Sequence, residues 1–136
     1  GRGLWSGAND TLREKVGEDY PRDTFRHEQD LLVTENGKTA LFAGCAHCGI
    51  VNILKSAEDV LGRAPDAVFA GFHLYNPSLG KSEPDELVDA VGEKLRGDKV
   101  AHYFTGHCTG KEAYERLKRK LGDRLGEMPA GSDFTV

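Results

Sequence analysis

The chain is poor in the residue types that mark several large protein classes. It contains three cysteines among 136 residues, an odd, small number that argues against a disulfide framework and favours a cytoplasmic location. No apolar run approaches the roughly 18 residues that a membrane-spanning helix needs, and no signal peptide is visible. The formal net charge is −4, which provides no basic footprint for nucleic acid. We therefore expect a globular domain that binds neither membrane nor nucleic acid.

Length and composition fit a single domain with a modest core. Hydrophobic residues make up 38% of the chain, and the 136 residues suit one domain. Residues 1–24 form a polar, glycine-rich lead-in, for which Trp5 and Tyr20 are the expected apolar anchors. The first residue is Gly rather than Met, so we expect a piece of a longer protein.

From residue 31 onward, short apolar runs alternate with helical patterns. The runs 31–33 and 39–43 flank Asn36-Gly37, which is a strong hairpin signal. Residues 50–61 have a helical apolar period, and two further helices are predicted to begin at capping boxes headed by Ser82 and Thr109. Short strands are predicted at 67–70, 100–104 and 125–128. This order predicts an α/β fold, with a mixed sheet and helices on one face.

Three of the five histidines follow predicted strands, each after or within a turn flanked by glycine. His47 comes after the second hairpin strand, His73 after the strand 67–70, and His107 after the strand 100–104. Ligands of α/β proteins gather at the carboxyl ends of the strands, so these three side chains are expected to share a cleft. His27 and His102 lack this placement and are left outside the predicted site.

Imidazoles in this arrangement suit a divalent metal. Neutral imidazole is a common ligand for zinc, and it also binds iron and manganese. His47 and His107 precede predicted helices, whose positive ends disfavour imidazolium. The alternative for any one of these histidines is a hydrogen-bonded turn residue without a metal.

The cysteines allow a second kind of chemistry. Cys45 and Cys48 form a C-x-x-C motif between a strand and a helix, which is also the setting of a thiol–disulfide redox site. That hypothesis leaves the histidines at the two later strand ends unexplained. Cys108 follows His107 and is interpreted as a soft metal ligand, a small buried hydrophobic residue or a residue without a role, and the interpretations without a metal are favoured.

Three segments together resemble one branch of the metallo-β-lactamase superfamily. The branch comprises metal-dependent hydrolases similar to dihydropterin-methyl-aminobenzene-ribofuranosyl-phosphate synthase. The segments are 44–52 (GCAHCGIVN), 71–74 (GFHL) and 105–110 (TGHCTG). Residues 23–29 (DTFRHEQ) are also similar to a segment of that branch, so the resemblance runs from about Asp23 to the C-terminus.

The resemblance implies both a fold and a metal site. The fold would be one half, the C-terminal half, of an αβ/βα sandwich whose metal centre lies at the edge between two sheets. His47 matches the third metal-binding motif and His107 the last, while His73 falls where many members have a bridging aspartate. The implied reaction is attack of metal-bound hydroxide on an ester or phosphoester of a small-molecule substrate. The implied metal is zinc, with iron or manganese in some members.

The chain departs from the superfamily in one main respect. The H-x-H-x-D-H motif of the N-terminal half does not occur anywhere in this sequence. We therefore expect a chain that is inactive alone and that associates with its missing half or with itself. The alternative is a non-catalytic interaction domain that keeps the fold without the chemistry.

Overall fold

A computed structural model describes Leu4 and residues 6–136, and for His107 it describes the backbone only. Within these residues a mixed sheet has the strand order β1-β2-β3-β6-β7, and a small hairpin pairs β4 with β5. The strands are β1 (Asp30–Glu35), β2 (Lys38–Ala43), β3 (Ala67–Ala70), β4 (Tyr75–Asn76), β5 (Lys81–Ser82), β6 (His102–Thr105) and β7 (Leu125–Glu127). The helices are α1 (Ile50–Leu61), α2 (Asp85–Gly97) and α3 (Lys111–Leu121). The predicted α/β class and mixed sheet are confirmed.

The sheet combines one antiparallel hairpin with parallel crossovers. Strands β1 and β2 pair antiparallel around Asn36, whose φ is 49°, and Gly37, whose φ is 79°. This is the turn that Asn-Gly predicts. The neighbours β2 and β3, β3 and β6, and β6 and β7 all pair in parallel. The carboxyl ends of β2, β3 and β6 therefore lie at the same edge.

The three helices cover one face of the sheet, where they bury the core. In α1 the buried residues Ile50, Ile53, Leu54 and Ala57 recur at helical spacing, so one stripe of the helix faces the strands. The helix ends at Gly62, whose φ of 70° lies in the left-handed region that glycine adopts without strain. Strand residues Leu41, Val68 and Tyr103 meet this helical layer in the same buried cluster.

Neither predicted capping box forms. Helix α2 begins after Pro84 and α3 after Gly110, and neither N-cap position has a side-chain hydrogen bond. Ser82 lies in β5 instead. The Thr109 hydroxyl accepts the backbone N–H of Phe72 at 2.9 Å, because Thr109 belongs to a 3-10 turn (His107–Thr109) packed against the end of β3.

The opposite face of the sheet carries a strip of apolar side chains. Pairing places Leu31, Phe42, Phe69 and Phe104 side by side across β1, β2, β3 and β6. The Phe42 and Phe104 rings stack on Phe69 with centroids 4.9 and 4.8 Å away, and Phe134 packs against two of these rings. At the β1 end the strip is open, since Leu31 is 59% exposed.

The lead-in differs from its prediction. Tyr20 is 63% exposed, so it does not anchor the segment, and Trp5 lies outside the described residues. Anchoring comes instead from Ser6, Ala8 and Asn9, which are buried around a short 3-10 turn (Gly7–Thr11). In the part of the chain that the structure describes, no helix is long and apolar enough to cross a membrane.

Candidate metal centre

Two of the predicted histidines meet at the carboxyl edge of the sheet. The ring centroids of His47 and His73 are 4.2 Å apart, with an interplanar angle of 60°. His47 lies in the turn between β2 and α1, and His73 lies in the segment after β3. A backbone hydrogen bond of 2.8 Å from the N–H of Gly71 to the carbonyl of Gly44 joins the two segments. The parallel pairing of β2 and β3 thus brings these imidazoles together.

His73 is buried in a conformation that costs free energy. Its exposed fraction is 6%, and among the described residues neither ring nitrogen makes a hydrogen bond of normal geometry, although the Ala8 backbone lies close enough to the ring to favour its protonated form. Its φ is +47°, a value that few residues other than glycine adopt. A buried unpaired polar atom costs about 1–3 kcal/mol, and an unfavourable backbone conformation costs a similar amount. Such costs cluster at functional sites.

A chain of hydrogen bonds holds the backbone of His73 in place. The Ser6 hydroxyl donates to the His73 carbonyl at 2.7 Å and also lies 3.1 Å from Glu83 Oε1. The same carboxylate oxygen accepts the backbone N–H of Ala8. The N-terminal segment and the segment before α2 therefore fix the position of this histidine together.

Asn9 fixes the tautomer of His47. The side-chain amide of Asn9 donates through Nδ2 to the backbone carbonyl of His47 at 2.7 Å, which turns its Oδ1 toward the ring. That oxygen is 2.9 Å from His47 Nδ1. An amide oxygen only accepts, so in neutral His47 the proton lies on Nδ1. The lone pair is then on Nε2, and the arrangement matches the outer-shell hydrogen bond that most metal-binding histidines make.

Glu28 and Phe25 complete the support of His47. Glu28 accepts the backbone N–H groups of His47 and Cys48 through its two carboxylate oxygens, at 2.6 and 2.7 Å. The ring of Phe25, which is 4% exposed, stacks on the His47 ring with centroids 4.4 Å apart and planes 7° apart. Glu28 therefore holds the backbone of the turn, and Phe25 packs against one face of the imidazole.

Burial keeps both imidazoles neutral. It lowers the pKa of His73 to about 4, with a further contribution from neighbouring His47. It also lowers the pKa of His47, against the opposing influence of Glu28 and Asp23. Burial is the largest cause of the lowered pKa of His47, whereas the sequence had suggested the positive helix end. A metal ligand must be unprotonated, so both rings are in the form that binds.

His107 reaches the same edge through its backbone, which begins the 3-10 turn after β6. Its side chain lies outside the described part of the structure, so its predicted role as a ligand stays a prediction. Among the described residues, no group of three His, Cys, Asp or Glu side chains is placed to hold a metal ion. His27 and His102 are both exposed.

The thiols of Cys48 and Cys108 contact different parts of the chain. The Cys48 thiol donates to the carbonyl of Phe25 at 3.6 Å. Cys108 is buried, and its thiol donates to the carbonyl of Cys45 at 3.8 Å. Burial, reinforced by the neighbouring Cys45 thiol, raises the pKa of Cys108 to about 12.

Sequence patterns did not single out the residues that support the histidines. Asn9 and Ser6 lie in the lead-in, where no periodicity or motif distinguishes them from other polar residues. Glu28 and Phe25 fall within the 23–29 segment that carried part of the resemblance, and this was the available signal. Their contacts with His47 span about 20 residues of chain and depend on tertiary structure.

Comparison with known proteins assigns the fold. A crystal structure of a metal-dependent hydrolase of the β-lactamase superfamily superposes on 97% of this chain with a TM-score of 0.78 and 23% sequence identity. The chain covers 51% of that structure. The chain has about half of the metallo-β-lactamase fold. The fold predicted from the resemblance is therefore confirmed.

A curated relative supports the same assignment. The 7,8-dihydropterin-6-methyl-4-(beta-D-ribofuranosyl)-aminobenzene-5'-phosphate synthase of Methanocaldococcus jannaschii is 30% identical over 101 residues. These residues are 74% of this chain and 32% of the relative, so the half-fold spans about a third of that protein's length. No family model matches the chain.

Proposed function

We propose that this chain is part of a metal-dependent hydrolase and supplies His47 and His73 to its metal site, with His107 as a further ligand. The observation that carries the proposal is His73, which is 6% exposed and has two ring nitrogens without partners among the described residues. A bound cation would satisfy one of these nitrogens. Without a ligand, the site retains an uncompensated cost.

The residues present fit a divalent metal. Both imidazoles are neutral, and the Nδ1 proton of His47 is committed to Asn9, which leaves Nε2 to bind. Nitrogen ligands of this kind suit zinc first, with iron or manganese as alternatives. The metal would supply Lewis acidity for hydrolysis of an ester or phosphoester. The chain's own residues orient the ligands and keep them unprotonated.

A cavity beside the His107 turn is the proposed place for a small-molecule substrate. Its volume is about 520 Å³, which is in the range of small-molecule sites. Thr109, Lys111, Tyr114 and Met128 contribute a mixed polar and apolar lining. Gly106 and Gly110, on either side of the 3-10 turn, also line the cavity, so it opens next to His107.

The half-fold is proposed to need a partner for activity. The apolar strip on the open sheet face includes Leu31 and Phe42, which are 59% and 41% exposed. Side chains of this type on a sheet face favour burial against a second layer. The proposed layer is the missing N-terminal half, which would also bring the H-x-H-x-D-H ligands, and a second copy of the chain is the alternative. Alone, the chain is expected to be catalytically silent.

One observation favours a second function. The second candidate is a non-catalytic interaction domain, and the observation that favours it is the partly exposed apolar strip on the open sheet face, where Leu31 and Phe42 are 59% and 41% exposed. Such a domain would keep the sheet face for a partner and bind no metal.

Metal content measured by elemental mass spectrometry tests the proposal. The wild-type chain, His47→Ala, His73→Leu and the exposed control His102→Ala are loaded with zinc and desalted. Zinc that is retained by the wild type and by His102→Ala, and lost from the other two variants, supports the metal site. Equal zinc in all four, or none in any folded sample, contradicts it. Strong phosphodiesterase turnover by the isolated chain would contradict its expected inactivity.

A further inference from the structure

Two cysteines approach each other across the middle strand of the site edge. Cys45 follows β2 and Cys108 follows β6, and the sheet order places β3, which ends before Gly71, between them. A Cβ atom added at Gly71 would lie 2.5 Å from Cys108 Sγ and 3.5 Å from Cys45 Cα. Because glycine has no Cβ, the Cys108 thiol occupies the space above this position and reaches the Cys45 loop.

The Cys108 sulfur lies close to the backbone of Cys45. Cys108 Sγ is 3.8 Å from the Cys45 carbonyl oxygen, and both Cys108 Sγ and Cys45 Cα lie near the Gly71 position. In a disulfide the two Cβ atoms are about 3.8 Å apart, a separation that the backbone sets, and rotation of the side chains then brings the sulfurs together. These contacts make Cys45 and Cys108 neighbours at this edge of the sheet.

We propose that Cys45 and Cys108 form an intramolecular disulfide when the chain meets a small-molecule disulfide oxidant such as oxidised glutathione. This is a modification site at the edge that carries the histidines. It is distinct from the C-x-x-C pair, since the Cys48 thiol is directed to the Phe25 carbonyl at 3.6 Å. It needs no metal, so it stands or falls independently of the proposed hydrolase function.

The reaction follows ordinary thiol–disulfide exchange. Cys45 is the more exposed of the pair, so its sulfur, after losing a proton to solvent, attacks one sulfur of oxidised glutathione. The glutathione S–S bond breaks, one glutathione thiolate leaves and takes up a proton, and a mixed disulfide remains on Cys45. Cys108 then loses its proton and attacks Cys45 Sγ, which releases the second glutathione as thiol. In total, one protein disulfide forms and one glutathione disulfide is reduced.

The bond would link the turn that carries His47 to the turn that carries His107. Cys45 is two residues before His47, and Cys108 directly follows His107. A covalent link between these positions fixes the separation of the β2 and β6 ends. The histidine edge would therefore respond to the redox state of its surroundings.

Thiol counting and peptide mapping test the proposal on the full chain. Wild type, Cys45→Ser and the matched control Cys48→Ser are incubated with oxidised glutathione, alkylated, and examined by intact mass and tryptic mapping. Cys45 and Cys48 share the tryptic peptide 39–55, whereas Cys108 lies in 100–111, so Cys48→Ser is needed to assign the link. Far-UV circular dichroism checks that each variant is folded.

The expected result is a fall in free thiols from three to one in wild type and from two to none in Cys48→Ser. The intact mass before alkylation should drop by two hydrogens, and peptides 39–55 and 100–111 should be linked. Cys45→Ser should keep both thiols free of an internal link. A link within peptide 39–55, a link from 39–55 to 100–111 that persists in Cys45→Ser, or wild type that retains three thiols or only a glutathione adduct would overturn the proposal. If Cys45→Ser does not fold, the peptide map of Cys48→Ser alone decides.

Discussion

Two buried regions of the half-fold differ in whether their polar side chains are hydrogen-bonded. In the core under the helices, Tyr103 is fully buried and its hydroxyl donates to the carbonyl of Leu95 at 3.1 Å. At the carboxyl edge, His73 is nearly as buried and both its ring nitrogens lack partners among the described residues. The first region is built for stability. The second keeps an energetic cost, which marks it as the region where a ligand is expected to act.

The two regions also differ in the residue types that adopt a positive φ. Helix α1 ends at a glycine where φ is positive, the residue type that tolerates it. At the carboxyl edge, Phe25, Ala46 and His73 have φ values of 52°, 51° and 47° without being glycine. The Ser6 hydroxyl donates to one of these turns and the Glu28 carboxylate accepts from another, so the surrounding structure stabilises what the local sequence disfavours.

The largest expected effect is a loss of stability in the core under the helices. Leu117→Ala removes a fully buried side chain between α3 and the sheet. The cavity left behind should lower the free energy of unfolding by about 2–5 kcal/mol. Denaturant unfolding measures this loss, and Val60→Ala, at a helix position that is 78% exposed, is the control. A loss below about 1 kcal/mol would show that this layer is loosely packed.

Acid should destabilise the folded chain at the carboxyl edge of the sheet, through protonation of His73. Its pKa is about 4 in the folded chain and near 6.5 when unfolded, so below pH 6.5 the unfolded state binds the proton more readily. Stability is complete above pH 6.5, falls as pH drops toward 4, and should lose about 3 kcal/mol over that window. Urea unfolding at pH 7.5 and 4.5 measures the loss. His73→Leu should flatten the dependence, and an unchanged slope in that variant would assign the loss to other groups.

The substitution Asn9→Ala tests the hydrogen bonds that hold His47 in one tautomer. The change leaves the His47 carbonyl and Nδ1 without their partner, at an expected cost of about 1–3 kcal/mol. Long-range nitrogen–proton NMR spectra of the imidazole should show that the Nδ1-protonated tautomer loses its dominance. Asn52→Ala, which also removes an amide bound to a backbone carbonyl, is the control and should leave the His47 tautomer unchanged.

The smallest effect compares the two buried polar residues directly. Tyr103→Phe removes a satisfied hydroxyl and should cost about 1 kcal/mol. His73→Leu at pH 7.5 removes two unpaired nitrogens with the same backbone strain, so it should cost nothing or stabilise the chain. Thermal unfolding of both variants under the same conditions gives the comparison. Destabilisation by His73→Leu as large as that of a core cavity would mean that the ring makes contacts that Leu cannot replace.

Sequence patterns predicted the layers of this fold better than its site. Apolar periodicity located α1, and Asn36-Gly37 located the hairpin, because these signals are local. The glycine-flanked histidines at strand ends were also readable, and the structure brings His47 and His73 into contact. The contacts of Asn9, Glu28 and Glu83 were not predicted, because they join segments far apart in the chain. The capping box predicted at Thr109 failed for a related reason, since Thr109 bonds across to Phe72 rather than along its own helix.

Zinc-dependent thermal stability tests the ligand role of the carboxyl edge most directly. The melting temperature is measured at pH 7.5 with a chelator and with excess zinc, for wild type, His47→Ala, His73→Leu and the exposed control His102→Ala. A metal held at 100 times its dissociation constant stabilises the folded state by about 2.7 kcal/mol, which in a domain of this size raises the melting temperature by several degrees. We expect that rise in wild type and His102→Ala, and its loss in the other two variants. A rise that survives both site variants, or no rise in wild type, would contradict a metal site formed by His47 and His73.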